Sequence, residues 1–216
     1  MKDLILKLQA LGIDAQATAC GGISIGADYD CESPIVPGVN QRLILGNLDD
    51  ILSVSYNVAN PSIIEGITLK PGGKAAYAFQ GVRQSLTPSY EFVAGNVSVG
   101  YKHMVNFLGF EISQAAKDNY EKMGLGKLFA VIENKNAPGN GDSIFEVYGL
   151  NVGLEAAAMT RTPADQETGG AMSINLATPE AEGNEPKMPQ SWFKTDYGTT
   201  LGLVDALLTP TAPPGL

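Results

Sequence analysis

What most restricts the fold of this chain is how often it is interrupted: twenty-five glycines and thirteen prolines are scattered through it, so apolar stretches are repeatedly cut short. A helical bundle needs longer unbroken segments, because short helices are marginal and glycine or proline inside one is destabilising. Short strands joined by tight turns accept the same composition. Hydrophobic residues at 44% and charged residues at only 17% provide enough apolar material for a packed core and exclude wholesale disorder. The fold class that follows is β-dominated α+β.

Fourteen basic against twenty-three acidic residues give a formal charge of −9, and no run of Lys or Arg forms a cationic patch. Tight nucleic-acid binding needs cations placed on phosphates, so that class is disfavoured. The acidity suits solubility, and equally a surface that does not hold nucleic acid passing it. Cys20 and Cys31, with ten residues between them, make no standard zinc site with the single His103. A Cys20–Cys31 disulfide is sterically possible, although nothing else points to an oxidising compartment. Leu4-Ile5-Leu6 opens like a secretion signal, but Asp3, Lys7, Gln9 and Asp14 break the apolar region such a signal requires. Ala17-Thr18-Ala19-Cys20 has a faint likeness to a lipoprotein cleavage box. No apolar stretch approaches the roughly eighteen residues needed to cross a bilayer.

Along the chain, Leu4, Ile5, Leu8 and Leu11 sit at helical spacing before Gly12, which predicts a short N-terminal helix over 2–12. Ala15 to Asn40 is rich in Gly, Asp, Pro and Ser and reads as an extended arm, so residues 1–41 form a helix and arm ahead of a β-rich domain over 42–208. Leu43-Ile44-Leu45, turn residues Asn47 to Asp50, and alternating Ile51 to Val58 read as one hairpin. Ile64 to Lys70, Pro71-Gly72-Gly73 and Lys74 to Val82 read as a second. Tyr90 to Phe110, broken at Gly95-Asn96, reads as a third, with Val97, Val99, Tyr101, Val105 and Phe107 at period two.

Ser113 suits the N-cap of a helix through about Met123 that Gly124 ends. Strands are predicted at Lys127 to Glu133 and Ile144 to Leu150, around a projecting loop from Asn134 to Asp142. Further strands are predicted at Val152 to Thr160 and Gly169 to Leu176, pairing with each other. Thr178 to Gln190, with Pro179, Pro186 and Pro189 among Glu, Gly and Asn, reads as an exposed loop. Thr199 or Thr200 caps a short helix ending near Leu208, and 209–216 is a disordered tail.

Chemical signatures are sparse. His103 lies mid-strand between Lys102 and Met104 and reads as a structural residue. There is no nucleophile elbow, no phosphate-binding loop with its lysine and no paired-histidine metal motif. Asn134, Asn136, Asn140 and Asp142 offer hard oxygens, but their spacing does not match a helical calcium loop, which leaves a plain hairpin loop. Glu180, Glu182 and Glu185 read as a solvated run. Asp49 with Asp50, or Asp28 with Asp30, are adjacent carboxylates of a kind common in turns. No catalytic, cofactor-binding or metal residue is therefore assigned, and no enzyme is expected.

The order of elements, hairpins followed by one helix between strands, further strands and extended loops, resembles that of the tail tube, or major tail, proteins of long-tailed phages. At residue level, Pro34-Ile35-Val36-Pro37-Gly38-Val39-Asn40-Gln41-Arg42-Leu43-Ile44-Leu45 and Phe145-Glu146-Val147-Tyr148-Gly149-Leu150 look like stretches of phage-type proteins from gut bacteria of the Bacteroides type. The resemblance implies a β-sandwich or half-barrel of antiparallel strands with one helix packed on it. It also implies assembly with itself into hexameric rings stacked as a tube, contact with other tail proteins, and DNA passing without specific binding. No membrane partner is implied; the location implied is the virion tail, assembled in the host cytoplasm. The 15–40 arm and the Asn134-to-Asp142 and Thr178-to-Gln190 loops are candidates for contacts between rings. Competing readings are a secreted or lipid-anchored surface sandwich, another virion part such as a tail completion or capsid-decorating protein, and an enzyme with an unrecognised carboxylate site.

Overall fold

The computed structural model describes residues 36–94, 99–135, 144–180 and 183–209. The expected 2–12 helix, most of the 15–40 arm, Asp28, Asp30, both cysteines and the tail from 210 lie outside those residues, as do the Gly95-Asn96 turn, residues 136–142 of the Asn134-to-Asp142 loop, and Glu182. Eleven strands and two α-helices follow in order: β1 (Val39–Asn47), β2 (Ile51–Tyr56), β3 (Ile64–Leu69), β4 (Tyr77–Gln80), β5 (Leu86–Ala94), β6 (Val99–Gly109), α1 (Gln114–Met123), β7 (Leu128–Asn134), β8 (Phe145–Tyr148), β9 (Glu155–Arg161), β10 (Met172–Ala177), β11 (Gln190–Trp192) and α2 (Tyr197–Ala206). Seven strands form one sheet, ordered β2-β3-β11-β8-β7-β1-β4, and four form a second, ordered β5-β6-β10-β9. Neither sheet closes into a barrel, and the β-dominated α+β sandwich expected from the sequence is the architecture of the chain.

The larger sheet is buried on both faces. Leu43 and Leu45 of β1 with Leu128, Ala130 and Ile132 of β7 pack against Val105, Phe107, Ile174 and Leu176 of the smaller sheet, and Tyr120 and Met123 of α1 close the same core. The intervening side chains, Ile44, Phe129 and Val131, point the other way and pack with Phe145, Val147, Trp192 and, from the α2 end, Val204 and Leu207. Two-sided burial explains why β1 and β7 carry unbroken apolar runs instead of alternating ones. Each large side chain so buried contributes roughly 1.5–3 kcal/mol.

Strand positions match the sequence reading better than strand partners do. The Tyr90-to-Phe110 hairpin is present as β5 against β6, from Leu86↔Phe107 to Ala94↔Val99. β7 pairs β8, and β9 pairs β10, both antiparallel as expected. The first two hairpins do not exist as read. β1 pairs β4 and β7, whereas β2 pairs β3. A 3-10 turn at Leu48–Asp50 keeps Leu48 bonded to Lys127 O and sends the chain to the far end of the sheet. The real hairpin turns through residues 57–63, where Asn57 Oδ1 accepts from the backbone N–H of Ala59 and of Asn60. Pro71-Gly72-Gly73 does turn the chain, but into a crossover that returns it beside β1. β1 also starts at Val39, paired with Asn134, so the arm gives way to the sheet before Arg42.

Helix α1 has the expected cap, Ser113 Oγ accepting from Ala116 N–H. Helix α2 is capped one turn earlier than read, by Asp196, which accepts from the Thr199 N–H and hydroxyl. Thr200 is buried instead, its hydroxyl accepting from Lys194 N–H and donating to Asp196 O.

Candidate assembly surface

Period two places Tyr90 and Phe92 of β5, with Val99 and Tyr101 of β6, on the face of the hairpin that also carries Leu86, Val105 and Phe107. Near the helix end of β6 that face is core, with Leu86 and Val105 no more than 3% exposed. Toward the turn the sandwich no longer covers it: Tyr90 is 45%, Phe92 60% and Val99 66% exposed. The rings hold one another edge to face, Phe92 to Tyr101 at 5.7 Å and Tyr90 to Tyr101 at 6.4 Å between centroids. The hairpin thus extends an apolar core face into solvent as a preformed aromatic patch, a feature that marks interaction sites.

A second feature lies at the ends of the larger sheet. β2 (ILSVSY) and β4 (YAFQ) are its edge strands, and neither contains a charged residue or a proline. Edge strands of monomers are ordinarily protected by such residues, because unpaired backbone N–H and C=O groups recruit other strands. The edges of the smaller sheet carry them: Pro88 and Glu91 in β5, Glu155 and Arg161 in β9. Exposed Leu52 and Tyr56 on β2 and Tyr77 on β4 add apolar surface to these edge strands. Next to β4, an open groove of about 930 Å³ runs toward α1, lined among others by Phe79, Phe110, Tyr120 and Leu125.

The segment read from sequence as the exposed Thr178-to-Gln190 loop is a strap tied into the fold. Thr178 N–H donates to His103 O, and Glu185 and Tyr101 exchange two backbone hydrogen bonds, 2.8 and 2.9 Å. Gln190 then opens β11. Glu185, expected to be solvated with Glu180 and Glu182, is 1% exposed. Its carboxylate accepts from the backbone N–H groups of Asn151, Val152 (2.8 Å) and Gly153 (3.1 Å) and from Asn151 Nδ2 (3.0 Å). Gly149 and Gly153, at φ +67° and +95°, shape the turn that presents these donors together. Two glycines four apart around Leu-Asn-Val were the available sequence signal for this cradle.

His103 lies beside the strap, 2% exposed. Its Nδ1 accepts from Gly149 N–H at 3.1 Å and its Nε2 lies 3.0 Å from Lys187 O, an arrangement that fixes a neutral ring with the proton on Nε2. Burial pulls its pKa below the usual value, against the opposing pull of the Glu185 carboxylate. With both nitrogens bonded to backbone, the ring holds structure together, in line with the sequence reading. Its edge meets Tyr148 at 5.6 Å, whose hydroxyl bonds Glu146 and whose pKa is pushed far up by burial and by that carboxylate.

The other residues singled out do not converge. Asp49 and Asp50 occupy the 3-10 turn, where Asp50 accepts from Asn47 Nδ2. Glu180 pairs with Lys102 at the surface. Among the described residues no three His, Cys, Asp or Glu side chains cluster to hold a metal ion, and no described helix is long and apolar enough to cross a membrane. The chain matches no protein-family model, no curated protein and no solved structure.

Proposed function

We propose that this chain is a structural virion protein, a phage tail tube subunit that assembles with itself into hexameric rings, stacked as a conduit for DNA ejection. The observation that carries the reading is the pair of edge strands without charge or proline at opposite ends of one seven-stranded sheet, neither paired on its outer side among the described residues. Different edges on one subunit favour a head-to-tail contact, which closes into a ring when the rotation allows. The aromatic patch of the β5–β6 hairpin supplies a second contact, suited to other rings or other tail proteins. A formal charge of −9 suits a wall past which DNA slides without being held.

Light scattering over a concentration series tests the reading. Six-copy particles, or larger assemblies built from them, support it; a mass that stays at the 22.7 kDa of one chain at the highest concentration refutes it. Phe92→Lys, which charges the patch without entering the core, should hold the assembly at a smaller size.

A further inference from the structure

We propose that the groove between β4 and α1 is a docking site for residues 23–30 of a neighbouring copy of this chain, which add to β4 as an antiparallel strand; the inference rests on the self-assembly proposed above. One wall of the groove is β4, all four of whose residues line it. Among the described residues β4 pairs only with β1, so the backbone groups of its outer side are open to a further strand. The facing wall is α1, with Ala116, Tyr120 and Met123. The floor is continuous with the core, since Phe79 meets buried Phe107 edge to face at 5.2 Å. Tyr77, Phe110 and Leu125, all exposed, make the rim apolar. A sheet edge opposed by a helix across an apolar slot suits strand addition: ladder hydrogen bonds supply affinity, and alternate side chains enter the slot.

The occupant follows from the terminal segments outside the described residues. Residues 2–12 have helical spacing, and 210–216 carry Pro210, Pro213 and Pro214, which cannot donate to a ladder. Ile23-Ser24-Ile25-Gly26-Ala27-Asp28-Tyr29-Asp30 instead alternates, so an extended chain puts Ile23, Ile25, Ala27 and Tyr29 on one face. That face matches the slot. Charge agrees: Asp28, Asp30 and Glu32 are followed by no base before Arg42, whereas the charged residues lining the groove are Lys74 and Lys122 against Glu111. Antiparallel pairing, the more stable arrangement per residue, brings these acids to the start of β4, which Lys74 precedes. In that direction the added strand runs the same way as β1 and ends level with Leu45, the partner of Tyr77. An arm of the same chain would then have to return about 20 Å to enter β1 at Val39, whereas a neighbouring copy's arm needs no such return.

The test links a thiol on the groove rim to the native Cys31, which follows Asp30. Leu125→Cys changes a side chain that is 91% exposed and lies three residues before Leu128, the partner of Asn47 at the Tyr77 end of the groove. Light and nitrogen-15-labelled full-length copies are mixed, reduced and treated with a short bismaleimide, and linked peptides are read by mass spectrometry beside light scattering of the same samples. The proposal predicts links from position 125 to Cys31 between light and heavy copies, at least tenfold above links to Cys20. Ile25→Asp, on the slot face, should lower that yield tenfold or more, and Ser24→Asp, on the other face, should leave it within twofold. Multi-copy particles without the link to Cys31 overturn this docking and leave self-assembly standing; a single-chain mass at the highest concentration overturns both. Links confined to one copy overturn the neighbouring donor, links to Cys20 in place of Cys31 overturn the direction, and equal effects of the two Asp variants overturn the strand.

Discussion

Glu185→Ala should destabilise the chain by about 3 kcal/mol, far more than loss of a surface carboxylate. The side chain accepts from four donors, three of them consecutive backbone N–H groups, and is 1% exposed. Hydrogen bonds to a charged acceptor are worth roughly 1.5–3 kcal/mol each, so a plain sum gives on the order of 6–12 kcal/mol. Two effects offset most of it. The variant no longer removes a carboxylate from water, a penalty of several kcal/mol. The space left also admits water to part of the cradle, where an ordered molecule can meet two donors. Glu185→Gln, similar in size but uncharged and bringing two N–H groups among donors, should fall between, at about 1–2 kcal/mol. Urea unfolding followed by the emission of Trp192, the only tryptophan and fully buried, measures the change. With a slope of about 2 kcal/mol/M, Glu185→Ala should lower the midpoint by about 1.5 M. A change below about 0.5 kcal/mol, the range of ordinary surface substitutions, would refute the argument and return Glu185 to the solvated run its composition suggests.

Gly46→Ala places a Cβ 2.4 Å from the ring of Phe129, which is fully buried, and should destabilise by about 1–3 kcal/mol in the same urea assay. Gly100→Ala pushes on Asn184 Cβ and on Glu185 O, 2.8 Å away, so hydrogen exchange at Tyr101 and residues 151–153 should rise at pH 7.5 while β7 stays protected. Ser113→Ala removes the α1 cap and should lower stability by about 1 kcal/mol, read by thermal unfolding. Phe92→Lys changes a side chain that is 60% exposed, so its urea midpoint should match the parent while its assembled mass falls.

The parts legible in the sequence were those whose signals are local. Ser113 and Gly124 bracket α1, and the period-two run from Tyr90 to Phe110 announces β5 and β6. Partnership in the larger sheet is not local. Reading neighbours in sequence as neighbours in space joined β1 to β2 and β3 to β4, although Leu43-Ile44-Leu45 and Leu128-Phe129-Ala130-Val131-Ile132 share the unbroken apolar pattern of central strands and in fact pair with each other. The alternation of β2, with its exposed serines, marked an edge strand all along. The strap failed for a different reason. Pro, Glu, Gly and Asn describe a segment that cannot form a core of its own, but they do not forbid it from being pinned by another segment's backbone, and the donors that bury Glu185 lie more than thirty residues upstream. The aromatic patch was visible as composition; its exposure depends on where the sandwich ends.

The proposal is that this chain assembles through the uncharged edge strands β2 and β4 into rings and tubes, and negative-stain electron microscopy of the purified protein across concentrations tests it most directly. Sixfold rings, or tubes of stacked rings that lengthen with concentration, are the result predicted. Fields of single particles of one chain's size, unchanged at the highest concentration, would contradict it.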